Sequence, residues 1–153
     1  MKIHFAASKQ NIKVNIEYYR RIIKVIHDHG DSLTQDWVEP SYKLSVSGRK
    51  YSELDWRQIY RDNMEALARA DVVIVDNTDS NFAVGYMTAV GVQYKKPTLV
   101  LYRDNAIEGT MASGMDESIV KTLEYTDDNL EKIVKSFLDE NQIETKDMRF
   151  NFF

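Results

Sequence analysis

Chemistry can be drawn from three places in this chain: Ser8-Lys9-Gln10-Asn11, the start of a helical stretch from Leu54, and Asp76 to Met87, DNTDSNFAVGYM. Each holds polar groups beside an apolar run, the pattern of a loop or helix start at the end of a buried strand. Several kinds of chemistry are excluded. There is no cysteine, so thiol catalysis, thiolate metal sites and disulfides are absent. Ser8 to Asn11 has no glycine, and Gly85 with Gly91 fits no G-x-G-x-x-G spacing, so neither a phosphate loop nor a dinucleotide fingerprint is present. His27 and His29 stand at i, i+2 and face apart on a helix, which reads as solvated helix ends rather than a metal pair. No G-x-S-x-G supports a serine triad. No metal and no cofactor is implied.

The elements that must position these residues are readable from apolar runs. Asp71 to Arg103 joins two of them, Val72 to Val75 and Thr98 to Tyr102, through a polar loop from Asp76 to Asn81 and a small-residue segment from Ala83 to Val92. Two runs of this length joined by a crossover of more than about a dozen residues make a buried parallel βαβ unit. Ligands in such units sit beyond the carboxyl ends of the strands, which puts Asp76 to Gly85 at the mouth of a site. Lys2 to Ala7 reads as the first strand, central in the sheet. Ile16, Tyr19, Ile22, Ile23 and Ile26 mark one face of a helix over Asn15 to His29, ended by Gly30. Ser32 to Thr34 is a short strand. Pro40 and Ser41 to Ser52 read as a long loop, either a substrate-facing lid or a surface excursion. Leu54 to Ala70 is a helix with Ile59, Met64, Leu67 and Ala68 on one face. Asp104 to Glu117 reads as a loop with a short helical piece, and Lys121 to Tyr125 as an edge strand. A last helix spans Asn129 to Glu140, capped by Asp127 or Asp128, with Leu130, Ile133, Val134, Phe137 and Leu138 inward; residues 141–153 form a tail. The sum is a single α/β domain over 1–153, a three-layer flavodoxin- or Rossmann-like fold with a mainly parallel sheet of about five strands.

Composition sets the class. The chain has 153 residues, 43% hydrophobic and 29% charged, which suits one soluble domain. A net charge of −4 argues against a nucleic-acid-binding surface, which needs a basic excess. No run approaches the roughly 18 apolar residues of a membrane span, and no signal peptide is visible, so the expectation is a cytoplasmic protein with no membrane partner.

Residues 2–8 (KIHFAAS), 59–76 (IYRDNMEALARADVVIVD) and 84–102 (VGYMTAVGVQYKKPTLVLY) together resemble the nucleoside 2-deoxyribosyltransferase superfamily, and within it the 2'-deoxynucleoside 5'-phosphate N-hydrolase branch. The specific pieces are the A-D-V-V strand entry and the V-G-Y helix leading to K-P and the next strand. The resemblance implies cleavage of an N-glycosidic bond in deoxynucleosides or their monophosphates. It also implies a glutamate after G-Y acting at the anomeric carbon, an aspartate on the preceding helix assisting proton transfer, and a tyrosine in the first strand supporting the carboxylate. An oxocarbenium-like transition state needs such an anion, and the leaving base needs a proton.

At those three positions this sequence has Met87, Asn63 and His4. Methionine is neither base nor anion, and an amide exchanges no proton at neutral pH. The family's small phosphate-facing positions are Asn81 and Ala83, with bulky Phe82 between, while Ser8 matches a serine after the first strand. The ligand-binding candidates are therefore Ser8, Asn63, Asn81, Ala83, Gly85 and Met87. Asp62 and Glu65 flank Asn63 but lie about 100° and 200° around the helix. His4 could act as acid or base if Asn63 or Asp79 orients it; otherwise His4 is a core histidine, Met87 packs a helix face, and Asp76, Asn77 and Asp79 are a hydrated loop. Tyr18, Tyr19, Tyr42, Tyr51, Tyr60 and Tyr86 suit base stacking or half-buried core and interface. The resemblance further implies a homodimer or larger homo-oligomer, with Thr110 to Ser113 where a neighbouring subunit completes the pocket. Three readings stay open: a pseudoenzyme or sensor that binds a nucleoside or nucleotide, an active N-glycosidase or deoxyribosyltransferase using His4 or Asp79, and an interaction module with a vestigial pocket.

Overall fold

A computed structural model describes residues 1–48, 55–103, 111–115 and 117–150, with backbone alone over 143–150. Five parallel strands form one sheet: β1 (Lys2–Ala7), β2 (Ser32–Leu33), β3 (Val72–Asp76), β4 (Thr98–Tyr102) and β5 (Val120–Glu124), in the order β2-β1-β3-β4-β5. The helices are α1 (Ile12–Asp28), α2 (Val38–Val46), α3 (Trp56–Arg69), α4 (Phe82–Gln93) and α5 (Leu130–Phe150), with a 3-10 turn at Met111–Gly114. The three-layer parallel architecture expected from the sequence is the one observed. β3 rather than β1 is the middle strand, flanked by β1 and β4 in unbroken register from Ile3↔Val72 to Ala7↔Asp76 and from Val73↔Thr98 to Asp76↔Leu101.

Alternation along the strands divides the core in two. Ile3, Phe5, Val72, Ile74, Leu99 and Leu101 pack with α1, α2 and α5, whereas Ala6, Val73, Val75 and Val100 pack with Leu67 of α3 and Val84, Met87 and Val90 of α4. Successive side chains point to opposite faces of a strand, so the apolar run Val72 to Val75 feeds both layers. Each fully buried aliphatic side chain contributes about 1.5–3 kcal/mol. Gly91 lets α4 lie close to the sheet: a Cβ there would come within 3.3 Å of Val73 Cγ2. The Lys96-Pro97 pair has a structural task, because Lys96 Nζ donates to the terminal carbonyls of Ala70 at 2.5 Å and Ala68 at 3.2 Å, closing the end of α3 where a cation favours the helix dipole.

Several boundaries differ from the sequence expectation. The long loop expected after Pro40 is in large part the helix α2. Pro40 is its third residue, in the first turn, where a helix requires no backbone N–H donor; residues 49–54 lie outside the described part. α1 begins three residues early, at Ile12, and its C-terminus is followed by Gly30 at φ 86°, the left-handed geometry glycine adopts at no steric cost. On α3, Ala66 is buried and Ala68 exposed. Asp55 caps this helix, accepting from Arg57 and Gln58 N–H at 3.0 and 3.1 Å. α5 is preceded by Asn129 rather than Asp127 or Asp128, and it continues through much of the expected tail to Phe150. His29 is not a solvated helix end: its ring bridges Asp31 and Asp139 at 2.8 and 2.9 Å. β5 is an edge strand, shifted by one residue from the expected span. Among the described residues no helix is long and apolar enough to cross a membrane, and no group of His, Cys, Asp and Glu is arranged to hold a metal ion.

Candidate active site

A cleft of about 850 Å³ opens beyond the carboxyl end of β1, between the α3 and α4 helices and Trp37. Its walls come from elements whose ends the sequence fixes. The last residues of β1 supply Ala6 and Ala7, the following loop Lys9 and Gln10, α3 Ile59, Asn63 and Met64, and the start of α4 Asn81, Ala83 and Met87. Asn81 caps α4, its Oδ1 accepting from Val84 N–H at 3.0 Å, a common N-cap arrangement. Asn63 donates from Nδ2 to the Ile59 carbonyl at 2.7 Å, which holds the amide on the helix surface. Met87 is 7% exposed and packs into the second core layer while lining the cleft.

Of the six ligand-binding candidates, Asn63, Asn81, Ala83 and Met87 line this cleft and Ser8 and Gly85 do not. Ser8 is buried, and its carbonyl accepts from Tyr19 Oη at 3.1 Å. Gly85 faces outward on α4, with nothing within 4 Å of where a Cβ would stand. Phe82 does not close the cleft. It is 86% exposed at the rim and stacks on Tyr86, ring centroids 6.0 Å apart. Tyr86 in turn meets Tyr60, their hydroxyls 3.3 Å apart, and that hydrogen bond is the main reason the Tyr86 phenol is raised above its ordinary value.

The proposed substitutes for the carboxylates are elsewhere. His4 is 1% exposed; its Nδ1 lies 3.4 Å from Thr34 Oγ1, and it does not line the cleft. Desolvation, with a smaller effect from Lys96, pushes its pKa down to about 4, as burial does for a group whose charged form is the protonated one. It is the core histidine of the simpler expectation. Asp79 is not free to reach in: its Oδ2 accepts from Asn15 Nδ2. Asn15 Oδ1 accepts from Arg103, and Arg103 also donates to Tyr125 Oη at 2.8 Å. The Tyr125 hydroxyl donates to Asp76 Oδ2 at 2.7 Å. This chain of bonds ties the Asp76 to Asn81 loop to α1, β4 and β5. Asp76 is 1% exposed, and burial raises its pKa. Neither His4 nor Asp79 stands with Asn63. Asp62 accepts from Gln58 at 2.6 Å and lies off the cleft, as does Glu65. Among the described residues, no carboxylate lines the cleft.

The other tyrosines divide by layer: Tyr19, Tyr18 and Tyr42 pack in the first core, Tyr60 and Tyr86 line the cleft, and Tyr51 lies outside the described residues. Thr110 is also outside them, and Ser113 is exposed in the 3-10 turn. The sequence reading missed Lys9, Trp37 and Trp56 as lining residues. Lys9 belongs to a loop singled out for its position, so its strand-end placement was the available signal. Trp56 lies at the start of the helical stretch singled out from Leu54, and Trp37 comes from a region with no motif.

No family model matches the chain. It is similar over 90% of its length to the 5-hydroxymethyl-dUMP N-hydrolase of Esox lucius, 24% identical across 140 residues and covering 95% of that protein. The human protein of the same description is 23% identical, with 90% of this chain and 79% of the relative covered. A putative 2'-deoxynucleoside 5'-phosphate N-hydrolase 1 of Trichoplax adhaerens is 24% identical, with 80% and 79% covered. Among solved structures, a CMP N-glycosidase of Clostridium botulinum superposes with a TM-score of 0.59 at 15% identity, covering 91% of this chain and 98% of that one, a likeness of fold. Whole-length sequence similarity and a shared fold therefore agree on the nucleoside 2-deoxyribosyltransferase-like superfamily as the group this chain resembles.

Proposed function

We propose that the protein binds a nucleoside or nucleotide in the cleft between α3 and α4 and lacks the carboxylate chemistry with which its relatives' class of enzyme breaks the N-glycosidic bond, acting as a binding protein or sensor. The observation that carries this reading is that Asn63 and Met87 both line the cleft and no described carboxylate joins them. An oxocarbenium-like transition state would meet an amide and a thioether there, neither able to offset positive charge. The opposing reading, an active N-hydrolase, is favoured by the names of the relatives that match nine-tenths of the chain. A rearranged site built on His4 and Asp79 has less support, since both are held away from the cleft.

The deciding experiment incubates the purified chain with deoxynucleosides and deoxynucleoside 5'-monophosphates and assays free base. No release from the wild type, with release gained in the Asn63→Asp, Met87→Glu double variant, is the expected result. Base release by the wild type would overturn the binding-protein reading. A nucleotide that binds at about 100 times its dissociation constant stabilises the fold by about 2.7 kcal/mol, so thermal shift reports binding separately from turnover. Assembly as a homodimer belongs to the same proposal. Phe82, Tyr86, Tyr60 and Trp56 leave a contiguous aromatic rim exposed, apolar surface that a second copy would cover, and sedimentation velocity reads it.

A further inference from the structure

A second recess, of about 330 Å³, lies on the other layer of the sheet from the cleft, between α5 and the edge strand β5. Its floor is apolar: Leu99 of β4, Leu123 of β5, and Ile133 and Phe137 of α5. Leu123 is 42% exposed, so α5 leaves part of the strand beneath it uncovered. Among the described residues β5 pairs with β4 alone, and its outer side meets no strand. An open edge beside uncovered apolar surface is a template for pairing with another chain.

Three α5 residues rim the recess at intervals of four residues, Lys132, Ser136 and Glu140, a spacing that sets them in one stripe on the helix. The stripe reads cation, small hydroxyl, anion, and that order is complementary to its own reverse. Against a second α5 running the opposite way about Ser136, each Lys132 meets the Glu140 of the other copy, and the two serines let the helices approach closely. Within its own chain Glu140 accepts from Lys121 of β5, so in the pair it lies between two cations, one from each copy. The same axis serves the strand. Asn129 is bonded to Thr126 at the turn between β5 and α5. From that turn Thr122 lies about 13 Å back along the strand and Ser136 about 10 Å along the helix. One two-fold axis therefore passes near both residues. Pairing β5 antiparallel about Thr122 sets Leu123 of each copy beside Lys121 of the other, over the open recess.

We infer that the face formed by α5 and β5 is an isologous interface with a second copy of this chain. In it α5 packs antiparallel on α5 about Ser136, and the two β5 edges join the five-stranded sheets into one. This interface is independent of the nucleotide reading. It is also distinct from the aromatic rim, which belongs to α3 and α4 on the other layer; a chain using both faces forms a tetramer.

Sedimentation velocity and oxidative cross-linking of the full chain test the assignment. The wild type should self-associate. Lys132→Glu and Glu140→Lys, each alone, should weaken that association at least about ten-fold, because each sets like charges opposite one another. An equimolar mixture of the two variants should return it to within about three-fold of wild type, since one copy then offers two anions and the other two cations. The chain has no cysteine, so Ser136→Cys carries the sole thiol, and oxidation should link two copies through it. Lys132→Cys should not link, because its two copies stand about 12 Å apart along the antiparallel helices, beyond the reach of a disulfide. A tetramer that falls to a dimer in Lys132→Glu supports this contact alongside the rim. A dimer that ignores both charge reversals, a mixture that fails to recover, or cross-linking no better through Ser136→Cys than through Lys132→Cys overturns the α5 assignment and leaves a dimer through the rim standing. A monomeric wild type overturns both contacts.

Discussion

His4 shows how burial decides what a polar residue can do. Its position in β1 made it a candidate acid or base, but the ring is enclosed in the sheet and its pKa is pushed down to about 4, so it is neutral at physiological pH. The same shift has a stability consequence. The folded-state pKa lies below the unfolded value of about 6.5, so the unfolded chain binds the proton first. Stability contributed by the neutral ring is complete above the unfolded pKa and is lost as pH falls from about 6.5 towards 4. Between pH 6.5 and 5 the loss should be about 1.5 kcal/mol. Urea denaturation of the wild type and of His4→Met at the two pH values measures it. The variant should show a smaller loss over that interval, and equal losses would mean that His4 does not titrate as described.

At the scale of elements, α4 carries both the family likeness and its limits. The V-G-Y segment was readable because small and apolar residues at helical spacing pack on a parallel sheet. Met87 and Ala83, singled out by the family resemblance, line the cleft. Gly85 was read as a ligand contact, yet it sits on the outer face of the helix with open space around it. A glycine inside a helix costs conformational entropy that alanine does not. Gly85→Ala should therefore raise unfolding stability by about 0.5–1 kcal/mol and leave nucleotide affinity within about two-fold of wild type. Loss of binding would show that the ligand approaches the backbone there. α2 went unread because Pro40 and a run of serines have the composition of a loop. The helix forms because the proline falls in its first turn and Val38 is buried against the first core.

The whole molecule is tied across its carboxyl edge by the bonded chain of Asp76, Tyr125, Arg103, Asn15 and Asp79. Its members are separated by up to 110 residues of sequence, from Asn15 to Tyr125. Arg103 also lies 4.0 Å from the Tyr18 ring centroid. The network fixes the loop that ends in Asn81, and so the start of α4 and one wall of the cleft. Tyr125→Phe removes the hydroxyl that joins Arg103 to buried Asp76. It should cost about 1–3 kcal/mol, the penalty for leaving a buried polar group without its partner, read as a lower denaturation midpoint with unchanged slope. A variant as stable as the wild type would show that the chain of bonds is not holding the edge.

The sequence by itself determined the sheet and most of the helices, because apolar runs of five residues and 3.6-residue periodicity are local consequences of burial. The family resemblance carried by its motifs also singled out Asn63 and Met87, both of which line the cleft. It could not determine which polar residues share a cleft. That depends on contacts between residues far apart in the chain: Trp37 beneath Lys9, Asn15 holding Asp79, Thr34 beside His4. Tertiary structure decided these pairings, and with them the character of the cleft, whose described walls hold one lysine and no carboxylate. The physical reason is that the charge a site presents is set by which side chains the packing leaves at its surface, and periodicity reports only which face of an element is apolar.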